Sequence, residues 1–244
     1  MTISFRACDL PLAVQCGENL KRVVSAIVGP FASSGPQPAR YTLGLDVDPA
    51  LERPDDLDCR LWGGSRLEIT VGRAKKEPVA AAIGCLIVRA LEDNSGLLLH
   101  GAGLLRVGSV HVFVGERGAG KSTIARNAAG LECLHEEKVA VRRRGGRWWA
   151  YGVPVLDNSG ATGINAVAPL AGIYLIEKGS VLRKEPVKKK RALHDLPPNV
   201  VLPIRDPVAR GKLAETLFLL ADEVPVERLV FCRNSNVAEV IGSS

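Results

Sequence analysis

One short segment of the sequence has the residue types and the spacing that bind phosphate. It consists of Gly115, four residues, and then Gly120, Lys121 and Ser122. Glycines lack the Cβ atoms that would keep backbone N–H groups away from an anion. A lysine at this position can reach the β and γ phosphates of a nucleotide, and the hydroxyl after it can ligate magnesium. The pattern therefore predicts a loop that binds a nucleoside triphosphate.

The segments on either side of the loop favour the same interpretation over an ordinary glycine-rich turn. Residues 110–114 are mostly apolar and β-branched, which predicts a buried strand, and residues 121–129 predict a helix. The N-terminus of such a helix carries about half a positive charge, which attracts phosphate. The residues expected to bind the nucleotide are Gly115, Glu116, Arg117, Gly118, Ala119, Gly120, Lys121, Ser122 and Thr123. No helical pattern follows the glycines at 101 and 103, so a dinucleotide-binding loop is not predicted there.

Two adjacent carboxylates, Glu136 and Glu137, follow the predicted helix in a strand-like stretch. Magnesium prefers hard oxygen ligands and keeps several waters, so one carboxylate with Ser122 and phosphate oxygens would suffice. The other carboxylate could orient an attacking hydroxyl or accept its proton. A solvated acidic turn is the alternative interpretation of the pair.

A histidine, His100, precedes the loop. We expect it to end a strand that runs beside the strand of the loop, where an imidazolium could contact the triphosphate or the acceptor. A purely structural role stays equally open. A second histidine, His135, comes directly before the glutamates and is expected to face the opposite side of its strand.

Three further groups of residues have weaker functional interpretations. Adjacent strand residues face opposite ways, so at most one of Trp148 and Trp149 could stack on a base, and packing is the favoured role. The basic run at residues 188–191 is interpreted as a solvated face, with contact to an acidic partner as the alternative. The remaining candidates, as additional phosphate contacts, are Arg205, Arg210 and Lys212.

Composition restricts the class of protein. With 46% hydrophobic and 24% charged residues, the 244-residue chain is typical of a soluble globular protein. A net charge of +6 suits anionic ligands, but only 5% of the residues are aromatic, which argues against nucleic acid as a partner. The six cysteines form no CxxC pair, so no structural zinc site is expected. No apolar run approaches the ~20 residues of a membrane span and no signal-peptide pattern is present, so no membrane contact and a cytoplasmic location are expected.

The chain is expected to have two parts. Residues 1–96 predict an N-terminal α+β layer, with strands at residues 41–47 and 66–71 and a helix at residues 76–92. Residues 97–244 predict the core that carries the glycine-rich loop. Strands and helices mix without a regular alternation, which favours an α/β protein of mixed α+β character with a mixed sheet.

Several of these segments together resemble the HPr serine kinase/phosphorylase family, which shares the nucleotide-binding fold of phosphoenolpyruvate carboxykinase. The similarity lies in residues 99–103, in residues 112–123, and in residues 134–139, where the family has an Asp-Asp pair. It continues through residues 151–154, 169–176 and 224–231, and so covers about residues 97–241.

The resemblance implies a P-loop fold of the HPr kinase/phosphoenolpyruvate carboxykinase type and an ATP- and Mg²⁺-dependent kinase. Such a kinase would transfer the γ-phosphate to a hydroxyl, with serine of a small protein or peptide as acceptor, and family members often form homo-oligomers. The catalytic residues that it implies are His100, Lys121, Glu136 and Glu137. The metal ligands that it implies are Ser122 and one of Glu136 and Glu137.

Two departures from the family leave other functions open. Glutamates stand in place of both aspartates, and the arginine- and glycine-rich segment that serves dephosphorylation is poorly matched at residues 203–214. The resemblance therefore implies a kinase rather than a phosphorylase. The alternatives are a catalytically weak or inactive nucleotide-binding regulatory or scaffold protein, and a simple NTPase that acts on a partner.

Overall fold

The computed structural model describes residues 1–33, 38–51, 57–62, 64–128, 130–202 and 207–241. Within them the chain forms thirteen β-strands and five α-helices. The strands are β1 (Thr2–Ala7), β2 (Leu10–Cys16), β3 (Tyr41–Val47), β4 (Leu57–Trp62), β5 (Arg66–Val71), β6 (Gly96–Arg106), β7 (Ser109–Val114), β8 (Glu132–His135), β9 (Lys138–Arg144), β10 (Arg147–Tyr151), β11 (Val167–Lys178), β12 (Arg183–Pro186) and β13 (Val226–Phe231). The α-helices are α1 (Glu18–Val28), α2 (Lys76–Glu92), α3 (Lys121–Asn127), α4 (Lys189–Asp195) and α5 (Pro207–Glu223). Short 3₁₀ helices lie at Gly29–Phe31, Pro197–Asn199 and Val237–Glu239.

The strands form two sheets, and both sheets are mixed. The first has five strands in the order β1-β2-β3-β5-β4. The second has eight, in the order β10-β9-β6-β7-β11-β13-β12, with β8 paired to β6 and β10 also paired to β11. Parallel and antiparallel pairs occur in each sheet. The prediction of a mixed α+β protein with a mixed sheet is therefore confirmed.

Local patterning predicted several elements well. The predicted strands at residues 41–47 and 66–71 are β3 and β5, and the predicted helix at residues 76–92 is α2. Helix α2 buries the apolar residues that recur along one face and most of the small residues between them. The helix predicted to reach residue 129 ends at Asn127, and residue 129 lies outside the described residues.

His100 lies in the middle of β6, so the prediction that it ends a strand is wrong. The strand continues because Gly101 and Gly103 let neighbouring chain segments come close. A Cβ at Gly101 would lie 2.8 Å from the carbonyl oxygen of Phe113, and one at Gly103 would lie 2.8 Å from Cγ2 of Val139. The prediction that the His100 strand runs beside the strand of the loop is confirmed, since β6 pairs with β7.

Three adjacent parallel strands of the second sheet, β7, β11 and β13, end at the same edge. Helix α3 packs on one face of these strands through a cluster that includes Phe113, Ile124 and Phe231. Helices α4 and α5 pack on the other face through a cluster that includes Ile173 and Leu217. In α/β sheets, ligands bind outside the carboxyl ends of parallel strands. The glycine-rich loop, directly after β7, lies at this edge.

The N-terminal layer is joined to the second sheet through a hairpin tip and a shared core. Cys8 and Asp9, between β1 and β2, both have a positive φ, 55° and 61°. The Asp9 carboxylate accepts hydrogen bonds from the hydroxyl of Tyr151 at 2.9 Å and from Arg144. Arg142 donates to the carbonyl oxygen of Cys8 at 2.9 Å. The hydrophobic core extends across the division predicted between residues 96 and 97.

None of the described helices has the length and the apolar composition that crossing a bilayer requires. The longest of them, α2 and α5, have 17 residues each and include charged side chains.

Buried His111 on β7 makes stability depend on pH. Its Nδ1 lies 3.2 Å from the hydroxyl of Tyr174, and burial, helped by Arg106 and Lys184, lowers its pKa from 6.5 to about 4. Below pH 6.5, His111 binds a proton in the unfolded chain, but in the folded chain it stays neutral until the pH approaches 4. The contribution of neutral His111 to stability is therefore complete above pH 6.5 and is lost as the pH falls from 6.5 towards 4.

We expect His111→Gln, which keeps a polar partner for Tyr174 but cannot titrate, to lose less stability on acidification than the wild type. The difference should be about 3 kcal/mol between pH 7 and pH 4. Denaturant unfolding of both proteins at several pH values measures this difference. The two proteins have the same carboxylates, so the contributions of those groups to the pH dependence cancel in the comparison. Parallel pH dependences would contradict the assignment.

Candidate functional site

The glycine-rich loop lies directly on side chains at the ends of the neighbouring strands. A Cβ at Gly120 would lie 2.6 Å from Cζ of Phe231 on β13, and one at Gly115 would lie 2.8 Å from Cγ1 of Ile176 on β11. Gly120 has a φ of +113° and Gly118 a φ of +83°, a region that other residues rarely adopt. Glycine is therefore required at position 120 by both packing and conformation, and at position 118 by conformation.

Lys121, the first residue of α3, holds its ammonium group inside the curve of the loop. The residue is 8% exposed, and Nζ donates to the carbonyl oxygens of Gly115 at 2.7 Å and Glu116 at 3.1 Å. Burial lowers its pKa, and the nearby carboxylate of Glu137 opposes that shift. The ammonium thus lies at the first residues of the loop, where phosphate oxygens could replace the two carbonyls.

A cavity of about 470 Å³ opens beside the second half of the loop; we call it the loop cavity. It brings together residues that lie far apart in the sequence, from β6, from the loop and α3, from the turn after β8 and from the turn after β10. Its lining residues are His100, Arg117, Gly118, Gly120, Lys121, Ser122, Thr123, Glu137 and Asn158. Most of the residues predicted for phosphate and metal binding therefore share one space.

Only the second of the two predicted glutamates lines the loop cavity. The carbonyl oxygen of Glu137 accepts from the N–H of Gly101 at 2.8 Å, and its carboxylate accepts from the amide of Asn158. Glu136 is not among the lining residues. Its charge acts instead on Cys133, whose pKa is raised to about 11, first by burial and then by Glu136. The two glutamates of the predicted pair therefore differ in position: Glu137 lines the loop cavity and Glu136 does not.

The turn that carries Glu137 is held by His135, a residue whose role the sequence did not reveal. Its buried ring places Nε2 2.8 Å from the carbonyl oxygen of Val155. Its Nδ1 accepts from the backbone N–H groups of Glu137 at 3.0 Å and Lys138 at 3.1 Å. These partners require the neutral ring with the proton on Nε2, and burial lowers its pKa accordingly. His135 is a positioning residue that lies away from the cavity lining, as expected for the opposite side of its strand.

His100 lies where the loop cavity meets a second, larger cleft, and it lines both. Burial lowers its pKa, and the positive charges of Lys121 and Lys138 lower it further. Both effects favour the neutral ring, whereas the expectation from the sequence was an imidazolium that contacts the triphosphate or the acceptor. A neutral imidazole at this junction can accept a proton.

Asn158 is a site residue that the sequence indicated only as part of a loop. Its turn is built on Asp157, whose Oδ1 accepts from the N–H groups of Ser159 at 2.8 Å and Ala161 at 3.0 Å. This turn places the amide of Asn158 against the carboxylate of Glu137. No spacing or motif in the sequence distinguishes this asparagine from other loop asparagines.

The larger cleft, of about 880 Å³, adjoins the first half of the loop. It is bounded by residues 115–119, by the carboxyl end of β11 at residues 175–178, by α4 with the 3₁₀ helix after it, and by Arg228 of β13. It shares with the loop cavity the residues His100, Arg117 and Gly118. The two spaces therefore form one continuous depression along the carboxyl edge of the sheet.

The tryptophans lie outside both spaces and have packing roles. Trp148 is buried and donates from Nε1 to Glu223 at 2.9 Å. Trp149 lies under the guanidinium of Arg144, 5.1 Å from the ring centroid, and packs against the other core. The prediction that the two rings face opposite ways is confirmed.

The basic residues predicted as additional phosphate or partner contacts have different positions in the described part of the chain. Lys212 donates to Asp93 at the end of α2, at 2.8 Å, and it lines neither the loop cavity nor the larger cleft. Arg205 and the side chain of Arg210 lie outside the described part of the chain. In the basic run, Lys189 pairs with Asp222 on α5, whereas the last residue of the run lines the larger cleft.

The contact of Gly120 with Phe231 can be tested by comparing two alanine variants. Both Gly120→Ala and Gly118→Ala place a side chain at a positive φ, but a Cβ at Gly118 meets nothing within 4 Å. We expect Gly118→Ala to lower the free energy of unfolding by about 1 kcal/mol and Gly120→Ala by about 3 kcal/mol. Urea unfolding measures both; equal losses would mean that Phe231 does not impose glycine at position 120.

The role of His135 can be tested with His135→Phe, which keeps the ring volume and removes both nitrogens. Two N–H groups and the Val155 carbonyl lose their partner, so we expect a loss of about 2 kcal/mol in stability. Hydrogen exchange should accelerate at the amides of Glu137 and Lys138, while amides of β7 keep their relative protection. Unchanged protection at those two amides would show that the ring does not hold the turn.

No family model and no curated protein sequence matches the chain. The functional interpretation therefore depends on the residues of the site and on their geometry.

Proposed function

We propose that the chain is an ATP- and Mg²⁺-dependent phosphotransferase that transfers the γ-phosphate to a hydroxyl group, with serine of a small protein or peptide as the acceptor. A P-loop fold of the HPr kinase/phosphoenolpyruvate carboxykinase type is part of this proposal. One observation carries it: Lys121, Ser122, Glu137 and His100 line a single cavity beside a glycine-rich loop.

The loop has the features that a triphosphate requires. Its positive-φ glycines turn the backbone while leaving the surface free of Cβ atoms, and α3 begins directly at its end. Lys121 already lies within the loop, and the carbonyls that it contacts are neutral. Charged phosphate oxygens would make stronger hydrogen bonds to the ammonium than those carbonyls do.

The Ser122 hydroxyl and the Glu137 carboxylate are the protein oxygens that would hold magnesium. In the described ranges, no three or more histidine, cysteine or acidic side chains group to form a metal site. Magnesium needs no such group, because it takes one or two protein ligands and completes its shell with water and phosphate oxygens. When bound, the ion supplies charge neutralisation on the phosphate oxygens. Asn158 holds the carboxylate of Glu137 in place by donating to it.

In the transfer step, the acceptor oxygen forms a bond to the γ-phosphorus while the bond from that phosphorus to the bridging oxygen breaks. The nucleoside diphosphate leaves with the electron pair, and the acceptor hydroxyl gives up its proton. We assign the proton to neutral His100, at the junction of the two spaces. Lys121 would stabilise the negative charge that moves to the bridging oxygen. Glu136 has no part in this scheme.

One observation favours a second candidate, a nucleotide-binding regulatory or scaffold protein without turnover. The family that the motifs resemble has a pair of aspartates, whereas only Glu137 of the present pair lines the loop cavity. Such a protein would bind the nucleotide through the same loop and would transfer nothing.

The test is transfer of labelled γ-phosphate from ATP to serine-containing peptides and small proteins in the presence of magnesium. We expect label on serine, and a loss of at least about 100-fold in Lys121→Met because charge stabilisation at the bridging oxygen is removed. Glu137→Gln should lower the rate by a similar factor. The matched control is Glu136→Gln. Because Glu136 does not line the loop cavity, this variant should change the rate less than about threefold.

The outcomes separate the candidates. Binding of ATP without transfer to any acceptor would favour the regulatory protein. Release of free phosphate without an acceptor would identify a simple NTPase. Equal losses in the two glutamate variants would refute the separate roles assigned to them.

A further inference from the structure

We infer that the larger cleft is the acceptor site, and that it takes an acidic, extended peptide segment whose hydroxyl meets the γ end of the triphosphate. The transfer step in this inference rests on the proposed function. The binding step rests only on the described residues.

The position of Lys121 indicates which end of the triphosphate faces the cleft. A lysine at this point of the loop reaches the β and γ phosphates. Its Nζ contacts the carbonyls of Gly115 and Glu116, and these two residues line the larger cleft but not the loop cavity. Lys121 itself lines the loop cavity and not the larger cleft, as do Ser122 and Thr123 at the other end of the loop. The γ-phosphate would therefore face the larger cleft, and the metal would lie in the loop cavity.

The two spaces meet where transfer would have to occur. His100, Arg117 and Gly118 line both of them. A hydroxyl that enters from the larger cleft would approach the γ-phosphorus beside His100, which can accept its proton. Transfer requires the acceptor oxygen to approach opposite the leaving oxygen, and this arrangement allows that approach.

The wall of the cleft is richer in basic than in acidic side chains. The basic side chains are those of Arg117, Lys178, Arg191 and Arg228. The carboxylates are those of Glu116, Glu177 and Asp195. With this excess of basic side chains, the cleft suits a ligand that carries negative charge.

Two arginines on the wall can bind carboxylates of such a ligand. Arg191 contacts Asp195 through Nε at 2.5 Å, and Arg228 contacts Glu177 through Nε at 3.7 Å. Among the described residues, no partner binds the terminal nitrogens of either guanidinium. A guanidinium has five N–H donors in a fork that matches a carboxylate. Both arginines can therefore keep their present pairs and bind an acidic side chain.

The shape of the cleft favours a peptide over a small alcohol. Its volume of about 880 Å³ is near the upper end for drug-sized ligands. Beyond Arg191 and Arg228 it continues into a groove of about 230 Å³, lined also by residues 185–188 at the end of the edge strand β12. Because the two arginines line both spaces, a chain that starts at the loop would pass over them and leave along this groove.

The test measures peptide binding and phosphate transfer separately. The probes are fluorescent nonapeptides with a central serine, flanked on both sides by aspartates, by asparagines or by lysines. We expect the aspartate peptide to bind the wild type most tightly by anisotropy. The double variant Arg191→Ala/Arg228→Ala should weaken that binding at least about tenfold and change the affinity for an ATP analogue less than about twofold.

The matched control is Lys189→Ala/Lys190→Ala, which removes the same charge from the same region but changes residues that do not line the cleft. It should weaken binding of the aspartate peptide less than about threefold, because exposed charges outside the cleft act only through screened long-range attraction. The retained ATP affinity also reports that both double variants are folded.

Three results would overturn the inference: no preference for the aspartate peptide, equal loss in the control variant, or loss of ATP affinity together with peptide affinity. Arginine-dependent peptide binding without label transfer would support the ligand assigned to the cleft and would reject the phosphotransferase. Transfer to serine peptides without any preference for acidic flanks would support the phosphotransferase and reject the assigned ligand.

Discussion

The contact between the backbone of the loop and two hydrophobic side chains, Phe231 and Ile176, is the constraint on which the site depends. Any side chain at Gly120 or Gly115 would occupy the space of those groups. Close packing of this kind fixes the distance between the loop and the strand ends, because protein interiors leave few voids. The position of the Lys121 ammonium follows from it, and so does the boundary between the loop cavity and the larger cleft. Packing against the sheet therefore positions the loop.

A second constraint is electrostatic: burial favours the neutral form of two histidines, His100 and His135. His135 can accept two backbone N–H groups only without a proton on Nδ1. His100 lies near two lysines, whose charges oppose a further cation. His135 is therefore a hydrogen-bond acceptor, and the neutral form of His100 is the one that the proposed transfer step needs. Neutral acceptors of this kind let cations and carboxylates be placed close together without additional buried charge.

The sequence predicted what depends on local patterns and missed what depends on distant contacts. The loop, α2, β3 and β5 could be predicted because each depends on the spacing and the types of residues within one short segment of the chain. The position of His100 was mispredicted because glycines at 101 and 103 resemble the end of a strand, whereas they permit close approach of neighbouring segments. The separation of Glu136 from Glu137 depends on a hydrogen bond between His135 and Val155, 20 residues apart. The pairing of Asn158 with Glu137 likewise spans 21 residues, and no pattern in one sequence encodes it.

The two hydrogen bonds of Lys121 within its own loop also bear on the choice of anion. The ammonium has three N–H donors and gives two of them to carbonyl oxygens of the loop, so a ligand that engages all three must replace both carbonyls. A tetrahedral oxyanion returns at least as many contacts as it displaces, and its charge strengthens each of them. If the loop binds a nucleotide as proposed, it would therefore favour a ligand that offers several oxygen atoms.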